Sequence, residues 1–169
     1  MQLTRSRDGC QRTHTLAARA RLCKHRFHYR TDDGEPGDDV DTSNAQQVFD
    51  FSDRFTAALN RGDPAEVRQF YHPEATFWHN YDDVHQTVDD NMKVLEWMVR
   101  KATHRNYRIV RRELIPGGWL QQHVLEATGT NGKTMKMFAC CVITLKHGKV
   151  WRIEEYLDPA QAAVLRQPA

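Results

Sequence analysis

Apolar and polar positions alternate over residues 75–81, placing Phe77, His79 and Tyr81 on one face and Thr76, Trp78 and Asn80 on the other. This pattern predicts a strand that carries His79 among aromatic side chains. Upstream the period changes. Val48, Phe51, Phe55 and Leu59 recur at helical spacing from Ser43, whose relation to Gln46 has the form of a capping box, to Gly62, which ends the helix. Asp63-Pro64-Ala65-Glu66 predicts a second, short helix with Val67, Phe70 and Tyr71 on its apolar face, broken at His72-Pro73.

A third helix is expected over 87–103, with Val88, Met92, Leu95, Val99 and Ala102 on one side. Strands follow at 107–115, 119–128, 134–145 and 150–157, separated by Pro116-Gly117-Gly118, Asn131-Gly132 and His147-Gly148. Asp158-Pro159 stops the last strand and caps a short tail helix. Helices followed by an antiparallel meander define an α+β domain, with three N-terminal helices packed on a curved antiparallel sheet.

Charge adds a boundary. Residues 1–31 hold eight Lys or Arg against Asp8 alone, and residues 32–41 hold six acids and no base. Residues 1–43 are expected to be a disordered or mis-started arm ahead of one domain at 44–169. An organelle transit peptide or a segment for nucleic acid or membrane are the alternatives for the arm. Without a long apolar run or a signal-type N-terminus, the expected location is the cytoplasm, with no membrane partner and no reliance on nucleic acid. Cys10, Cys23, Cys140 and Cys141 have neither zinc-ligand nor redox spacing, and read as reduced thiols.

Three titratable residues stand out as catalytic candidates. On the last strand Trp151, Ile153, Glu155 and Leu157 share a face that is apolar except for Glu155. A buried carboxylate there needs a cation or a raised pKa. His123, flanked on its strand face by Gln121 and Leu125, is the nearest expected partner, and His79 completes the set. A one-residue register error would turn His123 outward. His79 could instead be a core histidine and Glu155 an interface ion-pair partner. Phe77, Ile153 and Leu157 are expected to line a pocket, with Tyr81 or Asn80 holding a ligand oxygen. Trp78 and Trp151 read as packing residues. His72, His79 and His85 lack ligand-type spacing, and Asn131-Gly132-Lys133-Thr134 lacks the first glycine of a phosphate loop. A site with no metal and no cofactor is the expectation.

The segments Phe-Thr-Ala-Ala-Leu-Asn-Arg-Gly-Asp at 55–63, Ala-Thr-Phe-Trp-His-Asn at 75–80 and Gly-Lys-Val-Trp-Arg-Ile-Glu-Glu-Tyr-Leu-Asp at 148–158 resemble those of the NTF2-like superfamily, in its SnoaL-like small-molecule branch. The resemblance spans about residues 44–165. It implies a cone-shaped barrel, a sheet curved around a deep apolar pocket, and homodimerisation through the sheet's outer face.

Aligned without gaps, the oxyanion-hole tyrosine of ketosteroid isomerases falls on Phe55, their base on His79 and their second oxyanion-hole residue on Cys140. Phe55 cannot donate a hydrogen bond and Cys140 donates weakly, which argues against that isomerisation, although the resemblance places both residues at the pocket. The catalytic aspartate of limonene epoxide hydrolases falls on Glu155, but its partners fall near His123 and Leu125. Scytalone-type dehydratases place histidines at positions resembling His79 and His123. The resemblance and the residues together imply a general acid/base isomerase, cyclase or dehydratase acting on an apolar, cyclic or polyketide-like small molecule. A non-catalytic module binding a small ligand or a partner is the alternative.

Overall fold

The computed structural model describes residues 40–169, so most of the basic and acidic arm, with Cys10 and Cys23, lies outside the described residues. Helix α1 spans Ala45–Arg61, α2 Pro64–Arg68 and α3 Val88–Lys101. The strands are β1 (Tyr71–His79), β2 (His85–Gln86), β3 (Ala102–Ile115), β4 (Gly118–Gly129), β5 (Thr134–Lys146) and β6 (Lys149–Leu157), and a 3₁₀ helix at Pro159–Arg166 follows.

The helix boundaries follow from local chemistry. Asn44, not Ser43, caps α1, accepting from the backbone N–H of Gln46 and Gln47, while Ser43 bonds to Asp41. Val48, Phe51, Phe55 and Ala58 form its buried stripe, and Gly62 closes it in the left-handed conformation at φ 70°. Helix α2 stops at Arg68, so Tyr71 opens β1 instead of extending the helix. The cause lies in His72-Pro73, since the residue before a proline is driven towards extended backbone. Thr87 and Asp90 form the capping box of α3.

The sheet runs β2-β1-β6-β5-β4-β3. Strands β3 to β6 form the expected antiparallel meander, and the His147-Gly148 turn has both residues at positive φ, as a two-residue type I′ hairpin requires. The pairing of β1 with β6 is parallel, so the sheet is mixed rather than wholly antiparallel. Register slips between Tyr71 and Thr76, where Pro73 has no N–H to offer the ladder.

Two further bulges reset the alternation. On β6 the register passes from Val150 to Arg152, leaving Trp151 as the extra residue. Trp151 therefore does not share the inward face of Ile153; it lies edge-on to His72 and beneath the Lys146 ammonium. On β3 the bulge at Val110 turns Arg112 towards Gln121.

Apolar packing forms two clusters. One joins α1, α2 and α3 to β1 and the Trp119, Ile143 and Val150 positions of the sheet, and the other joins Met98, Leu125, Ala127 and Met135 to Ala162 and Leu165 of the 3₁₀ helix. A cavity of about 430 Å³ draws its walls from both. Curvature of the sheet and coverage by helices thus leave an internal space where side chains of several strands converge.

Candidate functional site

The inner face of the sheet carries one polar row. His79 is the register partner of Glu155, Glu155 of Cys141, Cys141 of Gln121, and Gln121 of Arg112. Residues in register on adjacent strands project side by side, so five strands deliver one residue each to a continuous line. His123, two positions beyond Gln121 on β4, projects to the same face.

Glu155 sits at the centre of this arrangement. Its Oε2 lies 3.5 Å from His79 Nε2 and its Oε1 lies 3.9 Å from His123 Nε2. The Cys141 thiol donates to Oε1 at 3.2 Å. The side chains of His79, His123 and Glu155 are 9%, 4% and 19% exposed, so the carboxylate is the most accessible of the three. His79 Nδ1 and His123 Nε2 are buried with no hydrogen-bond partner among the described residues. Five other side-chain atoms among the described residues share this condition, and these two stand out because they belong to imidazoles that flank one carboxylate.

Burial alone would raise the Glu155 carboxyl, but hydrogen bonding to His79, the charge of His123 and the Cys141 thiol outweigh it and lower its pKa. Burial lowers His123, with the Glu155 charge opposing only in part, so the imidazole favours its neutral form. Burial, and then the neighbouring Glu155 charge, pushes the Cys141 thiol well up, which keeps it a protonated donor and not a nucleophile. Tyr71 and Tyr107 are raised in the same way and remain neutral phenols. The Tyr107 ring lies 5.4 Å from that of His123.

The cavity brings together most of the residues expected from the sequence. Phe55, Phe77, Tyr81, Ile153 and Leu157 line it along with His79, His123 and Glu155. Tyr81 stacks on His79 at 5.3 Å between ring centroids. Two expectations are corrected. Cys140 is off the cavity, on the opposite face of β5 beside Tyr156, because its neighbour Cys141 takes the inward position. On a strand a shift of one residue reverses the face. Asn80 lies beyond the end of β1, where its Oδ1 accepts from the Leu157 N–H and its own N–H donates to the Glu155 carbonyl. It ties β1 to β6 and does not line the cavity.

The sequence did not single out Tyr71, Tyr107 or Cys141, and it gave the tail no part in the pocket. Pro159, Ala162 and Arg166 of the 3₁₀ helix contribute to the wall. Inward alternation on the strand at 107–115 was the available signal for Tyr107, whereas Tyr71 was hidden by its assignment to a helix.

Among the described residues one group places three ligand-type atoms within 4.8 Å of one another, namely His123, Cys141 and Glu155. The surroundings of His123 do not suit ligation of a metal through its Nε2. A histidine that ligates through Nε2 carries its proton on Nδ1 and needs an acceptor there, but Nδ1 of His123 faces the Gln121 amide nitrogen at 3.5 Å. No described helix is long and apolar enough to cross a membrane.

Comparison with known proteins agrees with this architecture. The SnoaL-like domain family matches residues 52–153. No curated protein matches the chain. Among solved structures, the fold is similar to that of a proposed SnoaL-like polyketide cyclase from Shewanella denitrificans, with a TM-score of 0.59 and 10% identity over 71% of this chain and 96% of that one. AclR, a proposed hydroxylase from Streptomyces galilaeus, gives a TM-score of 0.65 and 14% identity over 75% of this chain and 85% of that one. PrhC from Penicillium brasilianum gives 0.63 and 10% identity over 71% and 85%. At such identities these structures speak for the fold alone. The match over residues 52–153 makes the chain a member of the SnoaL-like family, and its fold is similar to that of solved NTF2-like proteins.

Proposed function

We propose that this protein is a general acid/base enzyme of the isomerase, cyclase or dehydratase kind, acting on an apolar, cyclic or polyketide-like small molecule held in the cavity. The observation that carries this reading is the Glu155 carboxylate set between two imidazoles, each with a buried nitrogen that lacks a partner. Neighbours named for polyketide cyclisation and hydroxylation support a small-molecule-processing role.

In this reading His79 and Glu155 act as one base. The carboxylate accepts the N–H of His79 Nε2, which leaves the lone pair on Nδ1 and stabilises the imidazolium that forms when the ligand loses a proton. His123 and the neutral phenol of Tyr107 are donors for a ligand oxygen on which charge develops, while the Tyr71 hydroxyl donates to Asn91 Oδ1. Apolar residues on the remaining walls exclude water and strengthen each of these interactions.

Self-association belongs to the same proposal. Phe138 and Tyr156 are 60% and 55% exposed, and Tyr156 packs against Trp78 at 5.4 Å. This aromatic patch supports a homodimer through the outer face of the sheet.

Native mass spectrometry of the gently purified full chain tests the functional reading. Capture of an apolar small molecule that the wild type converts on incubation, and that His79→Ala holds unconverted, is the expected result. A molecule held and released unchanged by both forms contradicts catalysis and identifies a binder.

A further inference from the structure

The amide of Gln121 is pinned from one side. Its Oε1 accepts from Arg112 Nε at 3.0 Å, Ser52 Oγ at 3.2 Å and Trp119 Nε1 at 3.3 Å. The Arg112 and Trp119 groups are donors only, so turning the amide over would set its NH₂ against two other N–H groups in a buried place. The orientation is therefore fixed by three separate elements, α1, β3 and β4. Ser52 and Trp119 are fully buried and Gln121 nearly so, while Arg112 is anchored in turn by Asp53.

This orientation has one outcome on the other side of the amide. Gln121 Nε2 faces His123 Nδ1 at 3.5 Å. An amide NH₂ offers only donors, so Nδ1 must present its lone pair, and the single proton of neutral His123 resides on Nε2. Nε2 is the nitrogen directed at Glu155 Oε1, and it has no other partner. Cys141 Sγ, at 4.0 Å from Nδ1, gives its proton to Glu155, so its sulfur is a weak acceptor and the one neighbour that favours a proton on Nδ1; the amide, nearer and the stronger hydrogen-bonding group, decides the tautomer.

We propose that Gln121, held by Ser52, Trp119 and Arg112, is a positioning residue that fixes His123 as its Nε2–H tautomer and so makes His123 the hydrogen-bond donor of the site and not its base. This rests on the acid/base reading of His79, Glu155 and His123. It also narrows the ligand, which must carry a carbonyl or hydroxyl oxygen able to accept from His123 Nε2–H while the carbon that loses its proton lies against the His79–Glu155 pair. The two imidazoles thereby differ in role although both flank one carboxylate. Among the described residues no donor fixes Nδ1 of His79, whereas Nδ1 of His123 is occupied.

Long-range proton–nitrogen correlation spectra of the ¹⁵N-labelled full chain near neutral pH read the tautomer directly, with His123 assigned by its absence in His123→Gln. The expected spectrum shows an N–H-type Nε2 and a lone-pair-type Nδ1 for His123. Gln121→Glu keeps the acceptor for Ser52, Trp119 and Arg112 but replaces the NH₂ by a second acceptor oxygen. It is expected to move the proton to Nδ1 or to give the imidazolium, while Gln121→Asn, with the amide withdrawn, gives a mixture of tautomers. A wild-type His123 with its proton on Nδ1, or a tautomer unchanged by Gln121→Glu, overturns the assignment. These spectra need no substrate, so a protein with the expected tautomer and no turnover counts against the reading of the reaction and not against the tautomer.

Discussion

His79 and Glu155 are register partners across the parallel pairing of β1 with β6, and their side chains meet with His79 Nε2 3.5 Å from Glu155 Oε2. Parallel pairing sets the two residues side by side on one face, so the contact is built into the sheet and does not depend on a loop. Glu155→Gln keeps the shape of the side chain and removes its charge. Turnover is expected to fall by about 10² to 10⁴-fold, measured as kcat on the ligand recovered from the native protein. An unchanged kcat would remove Glu155 from the mechanism.

Acid should weaken the fold in two stages. The native pKa of Glu155 is lowered, so the stability it contributes is complete above its unfolded value of about 4.3 and is lost as pH falls through the native value. His123 is also lowered, through burial, so its loss begins as pH falls below about 6.5 and ends once the native value is passed. The melting temperature of the wild type should therefore decline on acidification from near pH 6.5. His123→Gln is expected to reduce the upper stage, to which His72 also contributes, and Glu155→Gln the lower, to which Glu66, Asp90 and Glu126 also contribute. A melting temperature that rises on acidification over this range has the opposite sign and contradicts both assignments.

Asn44→Ala should destabilise the protein by about 1 kcal/mol in urea denaturation, since its side chain serves two N–H groups at the start of α1. Ser43→Ala should cost less than half of that. The order would reverse if Ser43 were the cap.

The two adjacent cysteines should differ sharply towards thiol reagents. Cys141 is buried, hydrogen-bonded to Glu155 and raised in pKa, whereas Cys140 is half-buried on the other face of β5. Peptide mass mapping after brief alkylation of the native protein should find Cys140 modified first. A ligand filling the cavity should slow Cys141 further and leave Cys140 unaffected. Equal rates would place both thiols outside the cavity.

Local signals carried much of the fold. The helical stripes, the turn residues at 116–118, 131–132 and 147–148, and the order of helices before strands were all legible because each depends on neighbours within a few positions. The parallel β1–β6 pairing was not, since it joins His79 to a residue more than 70 positions away. Bulges were equally invisible. At Trp151 one extra residue breaks an alternation that the sequence appeared to continue, and at Val110 another decides that Arg112 reaches Gln121. The site shows the same division. Glu155 could be found as the lone charged residue on an apolar face and His79 and His123 as strand histidines, while the choice of Cys141 over Cys140 required the register of β5 with β6. Gln121 was visible only as a neighbour of His123; its importance comes from Ser52, Arg112 and Trp119, which converge on it from three elements.

The central claim is that this site removes a proton from carbon in an apolar ligand. Deuterium incorporation into a panel of apolar cyclic ketones, incubated with the full chain in deuterium oxide and followed by mass spectrometry, tests it most directly. Wild-type protein should speed exchange next to the carbonyl of at least one ketone, and His79→Ala should lower that rate by about 10² to 10⁴-fold. Ketones that bind in the cavity without any exchange above the buffer rate, or exchange that persists in His79→Ala, would contradict it.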